Sequence, residues 1–161
     1  MSPRRSAIAA RRCGRRAPRK RAVGSKAVGS RGVAIESYRD LLVWQEAMAA
    51  AEDVYRATAG APSSWQFALA SQTLRAAASV PANIAEGYGR ESTGSYLQFL
   101  KIARGSLKEL ETHLLLAQRV GALKSDQANA ILKKLEGVGK MLNALIRSVR
   151  SSSAPRGPQQ A

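Results

Sequence analysis

Residues 79–90, SVPANIAEGYGR, place one proline and two glycines in a run that is helical in pattern on both sides. If the chain turns at Pro81, a helix ends there; if it carries on, one long amphipathic helix passes through a proline. Ile84 and Tyr88 favour the second, because they stay in phase with Leu74 and Ala77 at the three- and four-residue steps of a helix face. Proline removes one backbone hydrogen bond and costs about 3 kcal/mol in an exposed helix, so compensation is expected nearby. Ala76, Ala77, Ala78 and Ser79 leave room for a kink, and Asn83 or Ser79 has a side chain able to bond the freed carbonyls. Gly87 or Gly89 then ends the helix in a left-handed conformation. Asn83, Glu86 and Arg90 are spaced as a polar cluster; the plainer reading, favoured here, is a kink and a C-cap whose polar residues orient the corner.

Working outward, Ser63 with Gln66 forms a capping box that opens this second helix, whose seam is Phe67, Ala70, Leu74, Ala77, Pro81, Ile84 and Tyr88. Before it, Ser37 with Asp40 is another capping box, opening a first helix with Leu41, Trp44, Met48, Ala51 and Tyr55 along one face and a stop at Gly60 and Pro62. After it, Ser92 or Thr93 opens a third helix with the clearest period in the chain: Tyr96, Leu100, Ala103, Leu107, Leu110, Leu114 and Ala117, ended by Gly121. Ser125 caps a fourth, with Ala128, Ile131, Leu135, Val138, Leu142, Leu145 and Val149. Long amphipathic helices on short connections pack as antiparallel neighbours, so the expected fold is all-α, an up-down-up-down four-helix bundle over residues 37–150. Val43, Val54, Phe99, Ile102, Leu115, Leu116 and Ile146 lie off these seams and widen the apolar faces beyond one bundle interior, which implies a second contact surface, most simply self-association.

The composition agrees: 45% of residues are apolar but only eight are aromatic, and strand-favouring clusters are few. Residues 1–36 are rich in Arg, Ala, Gly and Ser without an apolar period and read as a disordered basic tail; residues 151–161 read as a second, short disordered tail. The net charge of +15 is unevenly spread. Residues 1–32 hold eleven Lys or Arg, among them Arg11, Arg12, Arg15, Arg16, Arg19, Lys20 and Arg21, and no acid, whereas residues 33–150 hold 14 basic against 11 acidic side chains.

Several chemistries find no support. The single cysteine, Cys13, allows neither an internal disulfide nor a cysteine-based metal site. The only histidine, His113, follows Glu109 by four residues, so the paired Glu-x-x-His pattern of a di-iron bundle is missing, as is a base for serine hydrolysis; a partly buried or interface histidine is expected. GRESTGSY, residues 89–96, has phosphate-loop glycine spacing but Ser95 stands where the lysine belongs. No enzyme, cofactor or metal is expected. No run approaches the roughly 18 apolar residues of a membrane span, and the expected location is cytoplasmic.

YRDLLVWQEAM, SVPANIAEGYGRES, YLQFLKIARGSLKELETHLLLAQRVG and KMLNALIRSVR, in that order between Tyr38 and Arg150, resemble the bacterial four-helix-bundle family first associated with intervening sequences in large-subunit ribosomal RNA genes. The resemblance implies an up-and-down bundle assembling as a homopentamer, related to the accessory variability determinant protein of diversity-generating retroelements, a basic pentamer that binds reverse transcriptase and nucleic acid. Two departures lower the charge at the corner: Leu74 precedes Arg75 where two basic residues are usual, and Gly94 and Ser95 stand where a charged pair is usual. The expected partners are therefore a second copy of the chain, RNA or DNA, and a reverse transcriptase or other nucleic-acid enzyme. The candidate nucleic-acid contacts are the tail cations with Arg75, Arg90, Arg104 and Lys108; Pro81, Asn83, Glu86, Gly87 and Gly89 form the structural motif of the corner. The alternative is a purely protein-binding or structural oligomer.

Overall fold

The computed structural model describes residues 35–59 and 69–153. The expected tails before Ile35 and after Ser153, the stop at Gly60 and Pro62, the Ser63–Gln66 capping box and Phe67 lie outside the described residues. Among the described residues there are four α-helices: α1 (Leu42–Ala59), α2 (Ser71–Tyr88), α3 (Thr93–Arg119) and α4 (Ser125–Ser153). Each packs on its neighbours in sequence, and α1 also packs on α4, closing the ring. Their directions follow from which residues meet. Ile35, just ahead of α1, accepts a hydrogen bond from the Tyr88 hydroxyl at the end of α2. Ser79 meets Ser106 while Gly87 meets Phe99. Arg104 meets Asn143 while Gln118 meets Asn129. As one number rises the other falls, so sequential helices are antiparallel; no strand occurs among the described residues.

The core is built from the expected stripes of α3 and α4. All seven seam residues of each are buried, and Leu100, Leu107, Leu114 and Leu142 are fully so, each burial worth about 1.5–3 kcal/mol relative to an exposed side chain. Ala70, Ala77, Pro81 and Ile84 of the second seam are buried, with Leu74 and Tyr88 half-buried.

The first helix departs from expectation twice. The Ser37–Asp40 capping box exists, with Asp40 Oδ2 accepting from the Ser37 amide at 2.8 Å. It closes only a 3-10 turn over Tyr38–Asp40, however, and Leu41 is extended before α1 begins at Leu42. The buried face of α1 is also rotated: Val43, Ala47, Ala50, Ala51, Val54 and Thr58 face the core, whereas Trp44 and Met48 are half-buried and Tyr55 is 50% exposed. Alanines at the contact let α1 approach the bundle closely, and the larger side chains are displaced to its flank. Val43, Val54 and Ile146, expected off the seams, are thus core residues.

The helix ends have local causes. Ser92 caps α3, its Oγ accepting from the Ser95 amide at 3.1 Å. Gly121 has φ of 72° and ends α3 as expected, a conformation that favours glycine. Ser125 is itself the first residue of α4, with the Lys124 carbonyl accepting from the Ala128 amide. At its other end α4 runs past Arg150 to Ser153, and Ser151 and Ser152 both donate to the Ser148 carbonyl at 2.9 Å.

Candidate functional site

At the α2–α3 corner the helix runs unbroken through Pro81, which is buried. Proline cannot donate to the carbonyl four residues earlier, that of Ala77. Asn83 does not replace that bond. Its Nδ2 donates instead to the Ser79 carbonyl at 2.8 Å and to Ser79 Oγ at 2.9 Å, and Ser79 Oγ lies 2.8 Å from Ser106 Oγ on α3. The result is a short polar chain linking the two helices. Glu86 pairs with Arg90 one turn on, and the Arg90 guanidinium lies 4.6 Å from the centre of the Phe99 ring. Asn83, Glu86 and Arg90 therefore do not converge on a common point.

The glycines of this corner act differently from expectation. Neither is left-handed: Gly121 is the only glycine with positive φ among the described residues, and Gly89 has φ of −74° with its amide donating to the carbonyls of Ala85 and Glu86. The helix ends by tightening rather than by reversing hand. Gly87 is buried, and a Cβ there would stand 2.8 Å from Phe99 Cβ and 3.0 Å from Tyr96 Cδ2. Its missing side chain is what allows α2 and α3 to touch. Tyr96 packs edge-on against Tyr88, ring centres 6.4 Å apart, and burial, helped by the neighbouring Tyr88, pushes its phenol from 10.0 up to about 12.

The candidate nucleic-acid contacts on the helices are exposed; Arg75 and Arg90 stand apart from one another, while Arg104 and Lys108 lie one turn apart on α3. Arg75 lies on α2 and has no ion-pair partner among the described residues; Arg90 is held by Glu86, Lys108 by both oxygens of Glu111 at 2.7 and 2.8 Å. Arg104 donates to the neutral Asn143 at 3.3 Å. Elsewhere Lys140 pairs with Glu136 at 2.6 Å, holding that carboxyl below its ordinary range, and Lys134 pairs with Asp53 across the α1–α4 contact. Such exposed pairs add little to stability, but they reduce the charge available to a partner. The tail cations Arg11, Arg12, Arg15, Arg16, Arg19, Lys20 and Arg21 lie outside the described residues.

Periodicity alone missed one surface. The side chains displaced from the α1 core, Trp44, Met48 and Tyr55, line an open, mainly apolar groove of about 560 Å³ between α1 and α2, floored by Pro81, Ala82 and Ala85. The signal was present in the sequence as two apolar stripes on α1, one of alanine and valine and one of larger side chains. On α3, Ile102, Leu115, Leu116 and Val120 are also exposed. His113 is half-buried, and its Nδ1 has no hydrogen-bond partner among the described residues.

No described helix is long and apolar enough to cross a membrane. No curated protein matches the chain. Among solved structures, the chain is similar to a protein of unknown function from the S23 ribosomal protein family of Bacteroides thetaiotaomicron VPI-5482, with a TM-score of 0.60 and 24% identity over 66% of this chain and 99% of that one; at that identity the likeness speaks to the fold. The sequence model of the 23S rRNA-intervening sequence protein family matches residues 39–144, a span that holds the Pro81 corner, the α3 seam and the α4 seam as far as Leu142, and the chain belongs to that family.

Proposed function

We propose that the protein is a non-enzymatic, homo-oligomeric helical-bundle module that engages RNA or DNA, or an enzyme acting on them such as a reverse transcriptase, through basic side chains. The observation that carries this reading is the acid-free N-terminal run, with eleven cations in residues 1–32. A run of this kind follows phosphates by releasing their counterions and needs no fixed structure to do so. Self-association is supported by the open α1–α2 groove and the exposed apolar residues of α3; the copy number of five comes from the family resemblance alone. Several copies would present several tails and multiply weak contacts.

A salt titration of binding tests the reading, with the full chain beside a chain beginning at Ile35, which keeps the contact to Tyr88. The full chain is expected to bind nucleic acid at low salt with a steep salt dependence, the slope of log K against log salt being about 0.9 for each phosphate contacted on a duplex. Absence of binding by the full chain would leave the alternative, a structural oligomer. The neutralised cations Arg90, Lys108 and Lys140 favour that alternative.

A further inference from the structure

The acids of α3 and α4 are confined to one end of the bundle. From Ser92 to Lys108 there is no acid, and from Gly137 to Ser153 there is none, while the acids of these helices are Glu109 and Glu111 on one and Asp126 and Glu136 on the other. The antiparallel register brings the two acid-free halves side by side: Arg104 bonds Asn143, and Leu107 Cδ2 lies 3.3 Å from where a Cβ of Gly139 would be. Lys101, Arg104 and Lys108 on α3 consequently run against Lys140, Arg147 and Arg150 on α4, all exposed. Glu111 and Glu136 reach in from the far end to Lys108 and Lys140. Lys101, Arg104 and Arg147 have no carboxylate partner among the described residues.

We infer that the outer face of the α3–α4 seam, centred on Lys101, Arg104 and Arg147, is a docking surface for the phosphate backbone of a nucleic-acid strand. This rests on the nucleic-acid reading above, and of the four candidate cations on the helices it keeps Arg104 and Lys108 and sets aside Arg75 and Arg90. From residue 101 to 108 a helix advances about 10 Å, the axial span of about three phosphates of one strand at 3.4 Å each. The flexible Lys and Arg stems match a charged backbone and carry no arrangement for reading bases. The opposite side of the molecule is unsuitable: residues 35–59 carry Glu36, Asp40, Glu46, Glu52 and Asp53 against Arg39 and Arg56. Glu86, paired with Arg90, and Glu91, next to the start of α3, are the remaining acids near the basic end.

The test uses the full chain and measures binding to single-stranded RNA, duplex RNA and duplex DNA of equal length across a range of salt. A triple variant, Lys101→Gln, Arg104→Gln and Arg147→Gln, is compared with a control of equal charge change, Arg56→Gln, Arg119→Gln and Lys124→Gln, all exposed and away from this face. The face variant is expected to lower the salt slope by about 2 to 3 on the strand form that docks, and affinity on the order of tenfold or more, with the control changing neither comparably. Equal losses in both variants would mean that only net charge matters and would overturn the assignment. Unchanged binding by the face variant would also overturn it, while leaving the tail as the binding element and the proposed function intact. If the unsubstituted chain binds none of the three probes at low salt, both readings fail together. Matching far-UV spectra and melting curves exclude misfolding as the source of a loss.

Discussion

At Gly87 a single hydrogen in place of a side chain sets the distance between two helices. A methyl group there would stand 2.8 Å from Phe99 Cβ, an atom fixed to the α3 backbone that cannot swing aside. Gly87→Ala is therefore expected to destabilise the fold by about 1–3 kcal/mol, the usual cost of overpacking, even though alanine is the better helix former. A denaturant titration checks this; an unchanged or raised midpoint would show that the helices separate at no cost. Gly89, whose φ is negative and whose nearest atoms are ordinary contacts, should tolerate the same change. Next to Gly87, Tyr96 makes the fold sensitive to base. Its phenol titrates near 10.0 when unfolded and about 12 when folded, so its contribution is complete below pH 10 and is lost as pH rises towards 12. Stability should fall by up to about 2 kcal/mol over that window from this group, and Tyr96→Phe should flatten the fall relative to the unsubstituted chain in pH-dependent melts.

Between elements, the chain of Asn83, Ser79 and Ser106 replaces apolar packing with hydrogen bonds at the α2–α3 contact. Each such bond contributes about 1 kcal/mol net, and because the hydroxyl of Ser79 is shared, the losses should not add. A double-mutant cycle with Asn83→Ala and Ser106→Ala is expected to show a coupling of about 0.5–1 kcal/mol; strict additivity would mean that the two bonds act independently. The elements also differ in how far their faces could be read from sequence. The α3 seam is mainly leucine with alanine and Tyr96, and the α4 seam leucine, isoleucine and valine with Ala128; each is one continuous stripe, and that stripe is the one buried. On α1 two stripes compete, and the bulkier Trp44, Met48 and Tyr55 suggest the wrong one, because large apolar side chains dominate a periodicity argument whereas close packing selects Ala47, Ala50 and Ala51. The capping signals show a related limit: Ser37 and Asp40 form their box, but a local pattern cannot foresee that Leu41 is extended one residue later.

For the molecule as a whole, the bundle class and the order of its helices were legible from Tyr38 to Arg150, since periodicity carries one helix through Pro81. The charged surface was legible only as a list of cations. Which of them are neutralised depends on i, i+3 and i, i+4 partners and on the antiparallel register, and that register turns two separate acid-free stretches into one face, while Glu86 cancels Arg90 at the corner and Glu111 cancels Lys108 at the edge of the face. The α1–α2 groove was hidden for the same reason as the α1 core, because its lining is the stripe that periodicity had assigned to the interior.

Crowding Lys101 and Arg104 on α3 against Arg147 on α4, three cations without a carboxylate partner among the described residues, also has a mechanical side. Like charges held together by the packing of two helices push on the seam that joins them, and the leucine and valine contacts beneath must hold against that push. Small dissolved ions shield the repulsion at distances beyond about 8–10 Å. Added salt is therefore expected to raise the melting temperature of the bundle, the opposite of its expected effect on a strand held at the proposed face.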